Sequence, residues 1–368
     1  MYIYEKPNWP NFIWNKEKIL SLLSTISHRQ GRLIGRMESL GFDLQSEAVL
    51  DTLTLEILKS NEIEGELLDR DEVRSSIARR LGMDIAGLVP SDRNVDGVVE
   101  VMLDATRRFQ EPLTNERLFN WHSALFPTSR SGMQKIVVGN WRKNPIDDPM
   151  QVVSGPMGKE RVHFQAPDSA VINKEMKLFL IWFNATVEAN PLLKAAIAHL
   201  WFVTIHPFDD GNGRLARTIT DMLLARADSI SNRFYSMSAQ IRIERKSYYD
   251  ILEKTQRGSI DITAWLIWFL ECLDRSLVAS EEVLSRIIFK ARFWDQLKVL
   301  ELNSRQRKMM NMLLDEFEGK LTSSKWAKIC NCSQDTAGRD IQELISKGVL
   351  KKEALGGRST SYLLSEIG

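Results

Sequence analysis

His206-Pro-Phe-Asp-Asp-Gly-Asn-Gly-Arg-Leu-Ala-Arg217 lies between two helical patterns. From Pro191 to Thr204 nearly every position is apolar, and from about Gly213 to Ala227 helical periodicity resumes, with a break at His206-Pro207. Gly211-Asn212-Gly213 stands where the second helix begins, so its backbone N–H groups can point outward, unpaired, toward an anion. Glycine there lets the backbone approach a phosphate with no side chain in the way. Arg214 and Arg217, three residues apart on the first turns, share roughly one face and complete a polyphosphate cradle. Asp210, just ahead of the cradle, is a hard oxygen ligand suited to holding Mg²⁺ against phosphates. His206 is the titratable group there able to accept a hydroxyl proton near neutral pH. Taken singly, each feature has an ordinary alternative: a structural histidine, an Arg217–Asp221 pair at i+4, a plain Gly-Asn-Gly turn. Only their concentration within twelve residues argues for a site.

Outward from this stretch the chain reads as mainly α, without internal repeats. An amphipathic helix is expected over residues 16 to 40, stopped at Gly41, and a second from Ser46, as N-cap, toward Gly65. Further helices are expected over 94–108, 115–125, 170–189, 247–257, 261–277 and near 280–300. Brief extended runs, Gln151-Val-Val and Val162-His-Phe, flank Ser154-Gly-Pro-Met-Gly-Lys and predict a hairpin. From Leu302 onward the pattern is three helices, Val349-Leu-Lys-Lys, a Gly-Gly turn and Ser361-Tyr-Leu-Leu, as in a small winged helix.

A chain of 368 residues suggests two or three domains. With 49 Lys plus Arg against 48 Asp plus Glu, it has no overall positive excess to attract nucleic acid or acidic membranes. Cys272, Cys330 and Cys332 are too few and too poorly spaced for a disulfide framework or a zinc site. The first residues, MYIYEKPNWPNFIW, lack the basic start and apolar centre of a signal peptide, and the apolar stretches are too short to span a bilayer. The expectation is a soluble, cytoplasmic protein without a membrane partner.

The stretch His206–Arg217 matches the Fic family signature H-x-F-x-[DE]-G-N-G-R-x-x-R at every specified position, and the chain therefore resembles Fic-type protein adenylyltransferases. The resemblance implies a Fic-type helical core with a β-hairpin flap, an N-terminal helical region and a C-terminal winged-helix domain. The expected divisions are 1–90 (helical region with an inhibitory motif), 91–280 (catalytic core), 281–301 (linker helix) and 302–368 (winged helix-turn-helix). It further implies ATP and Mg²⁺, with AMP passing to a Thr, Ser or Tyr hydroxyl of a protein target. His206 would be the base, Asp210 the metal ligand, and Gly211, Asn212, Gly213, Arg214, Leu215, Ala216 and Arg217 the nucleotide-binding turn. Ser60-Asn-Glu-Ile-Glu-Gly resembles the family's inhibitory motif [ST]-x-x-x-E-[GN], in which Ser60 and Glu64 belong and Glu64 reaches Arg217. Glu62, Glu64 and Glu66 also crowd a helix C-terminus, where the dipole disfavours negative charge, so a cationic partner is wanted. Val153, Ser154 and Gly155 would form the target flap, aligning an added strand. Tyr249, rather than Tyr248, is expected at the nucleotide.

The competing expectation is a DNA-binding transcriptional regulator with a nucleotide-sensing Fic core, because Ser333 to Leu344 resembles a recognition helix. Between Glu301 and Gly368, however, eleven Lys and Arg face nine Asp and Glu, a small excess for gripping phosphates. DNA is not favoured; target docking or a homodimer is the better use of that segment.

Overall fold

The computed structural model describes every residue except 84–87, 146, 156–158, 160, 187–189, 299, 315–316, 318, 354–359 and 366–368; of residue 43 only the backbone is considered. Two compact units are present, Met1–Glu281 and Glu282–Gly368.

The first unit opens with α1 (Lys16–Glu38) and α2 (Phe42–Ile63), then α3 (Arg70–Leu81), α4 (Arg93–Arg107) and α5 (Asn115–Leu125). A minimal hairpin, β1 (Arg130–Ser131) and β2 (Gln134–Lys135), precedes a longer one, β3 (Gln151–Ser154) and β4 (Arg161–Gln165). Then come α6 (Ile172–Asn184), α7 (Pro191–Ile205), α8 (Asn212–Asp228), α9 (Met237–Ile243), α10 (Arg245–Gln256) and α11 (Thr263–Leu297), whose residues after Glu281 belong to the second unit. The second unit holds α12 (Ser304–Leu314), α13 (Ser323–Cys330), α14 (Gln334–Ser346) and the antiparallel pair β5 (Leu350–Lys352) and β6 (Tyr362–Leu364).

Helix α7 is the axis of the first unit. Asn190 caps it by accepting from Leu192 N, and Pro191 occupies the first turn, where its missing N–H costs nothing. Every residue from Leu192 to Ile205 except Lys194 is buried, the expected fate of a helix that is apolar all round. It packs on α8, which in turn packs on α4, while α2 packs on α3 and α9. The turn over residues 60–65 at the end of α2 is thereby brought to the start of α8.

Several boundaries differ from the sequence expectations. Helix α2 starts at Phe42 after Gly41, and Ser46 is inside it. The link from α1 is closed instead by Gln45, whose Nε2 donates to Glu38 O and Leu40 O. The helix expected over 170–189 begins as a 3₁₀ turn and its α part ends at Asn184, residues 187–189 lying outside those described. The separate helices expected over 261–277 and 280–300 are one, since no Gly or Pro interrupts Thr263–Leu297. Helices α3 and α9 were not among the expectations. Helix α3 is polar and hides its periodicity, although Asp69 caps it through Asp71 N and Glu72 N and Gly82 ends it in the left-handed region. The Gly-Gly turn expected between β5 and β6 lies outside the described residues.

The second unit closes on Trp326, Met309, Met310, Ile341 and Leu344. Two of the three acids of α14 are engaged within the unit: Asp340 accepts from Arg305 at 2.7 Å and Glu343 from Lys347 at 2.6 Å. No described helix is long and apolar enough to cross a membrane.

Candidate active site

His206 terminates α7 in the left-handed conformation (φ 52°), its N–H donating to Phe202 O. Its Nδ1 lies 3.2 Å from Val203 O. A carbonyl only accepts, so Nδ1 carries the proton and Nε2 keeps its lone pair. Burial pushes the imidazole pKa down to about 4 against the opposing pull of the Val203 hydrogen bond, and nearby Arg142 pushes the same way as burial. The ring is neutral at physiological pH and able to accept a proton.

The loop after His206 is held from inside. Phe208 is fully buried and stacked on His122 at 4.2 Å. Asn212 turns its side chain inward, Oδ1 accepting from Phe208 N at 3.0 Å and Nδ2 donating to Phe208 O at 2.8 Å. With both polar atoms so engaged, its backbone N–H is what it can offer an anion. Arg142, absent from the sequence reading, clamps the same loop: its N donates to Pro207 O and its Nε to His206 O at 2.7 Å. His122 Nδ1 accepts from Gly139 N, which leaves Nε2–H to donate to Asp210 O at 3.2 Å. Trp-Arg in Gly139-Asn-Trp-Arg-Lys carried no periodic signal, so nothing in the local pattern pointed to Arg142.

Gly211 adopts φ 79°, and a Cβ there would stand 2.8 Å from the Phe126 ring. It supplies no capping side chain to α8, which leaves the first-turn N–H groups and the positive helix end facing outward. Arg214 and Arg217 are 5% and 2% exposed. Arg217 donates from Nε to Ser60 Oγ at 2.9 Å and from Nη2 to Ser60 O at 2.8 Å, and Nη2 also lies 2.8 Å from Glu64 Oε1. Its Nη1 is buried without a partner. Burial opposes the Arg217 charge, yet Glu64 holds its pKa above the usual value. Arg214 stacks on Phe126 at 4.8 Å and meets Glu66 Oε2 at 2.5 Å. Glu66 was noted in the sequence only as a crowded acid; its pairing is a tertiary fact. Leu215 and Ala216 are fully buried in α8, so their side chains serve packing.

Glu64 lies directly over the helix end. A Cβ on Gly213 would stand 2.1 Å from Glu64 Oε1 and 3.3 Å from Arg217 Nη1. The carboxylate thus occupies the space in front of the glycine turn. Tyr249 OH reaches Glu64 Oε2 at 3.5 Å, and burial, then Glu64, raise the phenol's pKa. Tyr248 is buried and bonded to His199 Nε2 at 2.8 Å.

Asp210 accepts from Gly211 N at 2.6 Å and from the Ser131 hydroxyl. Those bonds use two of a carboxylate's roughly four acceptor positions. No group of three or more His, Cys, Asp or Glu forms a metal cluster among the described residues. The donor set fits a hard cation that takes one carboxylate from the protein and the rest of its shell from phosphate and water. Asp209 is turned aside, accepting from Val137 N at 2.8 Å. On the hairpin, Val153 and Ser154 are exposed and Gly155 has φ 108°.

A mainly α core with a helix-loop-helix anion cradle defines the class, and comparison agrees. Residues 112–224 match the Fic/DOC family model, so the chain carries a Fic/DOC domain. Residues 2–83 match a domain of unknown function, DUF4172. Protein adenylyltransferase Fic of Aedes aegypti is 27% identical over 221 residues, which is 58% of this chain and 39% of that protein. Protein adenylyltransferase fic-1 of Caenorhabditis elegans is 28% identical over 183 residues, 48% of this chain and 32% of that one. The chain thus spans about two fifths, 39%, of the length of the mosquito relative. A Fic family protein from Desulfovibrio desulfuricans G20 superposes with a TM-score of 0.52 at 19% identity, covering 94% of this chain and 97% of that one. The fold is of the Fic type.

Proposed function

We propose that this chain is a protein adenylyltransferase that moves AMP from ATP to a Thr, Ser or Tyr hydroxyl of a target protein, and that Glu64 holds it in an inhibited state. The observation that carries the reading is Glu64 itself: a carboxylate seated before Gly213 and 2.8 Å from Arg217, which supports a cradle suited to an anion. In the reaction, His206 Nε2 takes the proton of the target hydroxyl, whose oxygen attacks the α-phosphorus. The bond from that phosphorus to the bridging oxygen breaks and pyrophosphate leaves. Arg214, Arg217 and the α8 N-terminus neutralise the phosphates and orient them, which is most of what phosphoryl-type transfer asks of a protein. Asp210 would hold Mg²⁺, which supplies charge neutralisation to the triphosphate. Arg142 and Asn212 keep the loop in place, Tyr249 lies on the nucleotide side, and Val153 to Gly155 offer an edge to the target. The 302–368 segment is read as a winged-helix docking module, with the boundaries 1–90, 91–280 and 281–301 before it.

The deciding experiment incubates the Glu64→Gly protein with ATP labelled either at the α- or at the γ-phosphorus. Label from the α-position should become covalently attached to protein and label from the γ-position should not. Transfer of the γ-label would make the chain a kinase-type enzyme and overturn the reading.

A further inference from the structure

Ser154, exposed at the end of β3, places Oγ 2.6 Å from Nε2 of His163 in β4. On the far side of that ring, Nδ1 lies 2.6 Å from Oε2 of Glu253 in α10. A carboxylate only accepts, so Nδ1 carries the proton. With the ring in its neutral form, the Nε2 lone pair faces Ser154 and the hydroxyl is placed to donate to it. A hydroxyl bonded to an imidazole that is itself oriented by a carboxylate is the arrangement that converts a weak alcohol into a nucleophile, recognised by geometry and not by position in the chain. The carboxylate is supported in turn: Arg161 Nη2 lies 3.1 Å and Arg257 Nε 3.4 Å from Glu253 Oε1. The His163 hydrogen bond, with Arg161, keeps the Glu253 pKa below its usual value in spite of some burial. Next in the chain is Gly155, so no neighbouring side chain follows the hydroxyl.

We infer that Ser154, His163 and Glu253 form a second reactive centre, independent of His206, in which Ser154 takes an acyl group from an activated ester. The Oγ attacks the carbonyl carbon, a new C–O bond forms, and the bond to the alcohol leaving group breaks. The serine proton passes to His163 Nε2 and from there to the departing alkoxide. Nothing in this step uses the anion cradle, so it stands or falls apart from the adenylyltransferase reading.

The full chain is treated with p-nitrophenyl acetate, and acetylation of each serine is followed by peptide mass spectrometry. In the wild type, Ser154 should be acetylated at least about tenfold faster than any other serine of the chain, well within the roughly hundredfold or more that a positioned base typically contributes. His163→Asn and Glu253→Gln should each lower the Ser154 rate by at least about tenfold, with unfolding midpoints recorded to show that both remain folded. His206→Ala should keep Ser154 acetylation while losing AMP transfer. If Ser154 reacts no faster than the other exposed serines, or equally fast in folded His163→Asn protein, the triad is an ordinary surface hydrogen-bond chain and the inference is wrong.

Discussion

Helix α8 carries two carboxylate–arginine clusters that look alike on paper and differ in accessibility. Near its start, buried Arg217 meets Glu64, an acid whose side chain is 32% exposed, and one terminal nitrogen of Arg217 has no partner. Further along, Arg233 meets Asp221 at 3.1 Å and Asp228 at 2.8 Å, all three side chains at 2% exposure or less. Both terminal nitrogens of Arg233 are matched, Tyr235 OH joins at 3.1 Å, and the guanidinium stacks on that ring at 4.2 Å. Burial, then the neighbouring Glu56, push the Asp221 carboxyl well above its usual pKa. The second cluster also has an unpartnered donor, Arg233 Nε, but its acids are buried with the arginine, and it ties α8 to the Arg233 loop. The first keeps a spare donor and a displaceable acid, which is what a site needs if an external anion is to replace an internal one.

The comparison breaks first on stability. Arg233→Met should destabilise the chain by about 3–5 kcal/mol, because Asp221 and Asp228 are left buried without a counter-charge. Arg217→Met, which leaves its acid with a side chain 32% exposed, should cost no more than about 2 kcal/mol. Urea unfolding of both variants checks this, and equal losses would erase the distinction between the clusters.

Chemistry gives the next largest effect. In a Glu64→Gly background, His206→Ala should lower AMP incorporation by at least about a hundredfold, the smaller end of a general base's contribution. Binding of ATP, followed by calorimetry, should change little, since the imidazole acts on the hydroxyl and not on the phosphates. Near-normal labelling by the double variant would remove His206 from the role of base.

Displacing the acid sharpens the contrast directly. Glu64→Gly should raise labelling over wild type by at least about tenfold, equivalent to roughly 1.4 kcal/mol. Adding Arg217→Ala should cancel the gain, because the freed guanidinium is what ATP acquires. Equal labelling by wild type and Glu64→Gly would make Glu64 an ordinary acid.

The smallest effect is in the pH profile of Glu64→Gly. The base must be unprotonated to work, and burial holds His206 down at about 4. Activity should therefore stay nearly level from pH 8 to about 5.5 and fall only as pH drops toward 4. An ordinary imidazole would lose about tenfold by pH 5.5, one unit below its pKa. A rate that halves near 6.5 would mean that the ring is hydrated in the working enzyme.

Legibility in the sequence followed the range of the interaction. Helix α7 could be read from its unbroken apolar run after Asn190-Pro191, and the loop from Pro207 and Gly211, because each acts on its own backbone or the adjacent turn. The link between α1 and α2 was misread because Ser46 is a good cap in isolation, while the chain closes the turn with Gln45. Helix α3 was missed because its polar face outweighs the buried stripe of Val73 and Ile77.

By itself the sequence determined a mainly α chain with a break at His206-Pro207, a glycine turn opening a helix, and two arginines on that helix's first face. Its match to the Fic signature added the expectation that Glu64 reaches Arg217. Tertiary structure alone decided that Glu66 answers Arg214, that Asn212 faces inward, that Arg142 clamps the loop after His206 and that Ser154, His163 and Glu253 fall in line. Apart from Asn212 with Phe208 and Ser154 with His163, 9 residues away on the same hairpin, those contacts join distant stretches of chain, from 64 residues for Arg142 and His206 to 148 for Glu66 and Arg214. Helical and strand periodicities describe which face of an element is apolar, but they hold no information on which other element that face will meet.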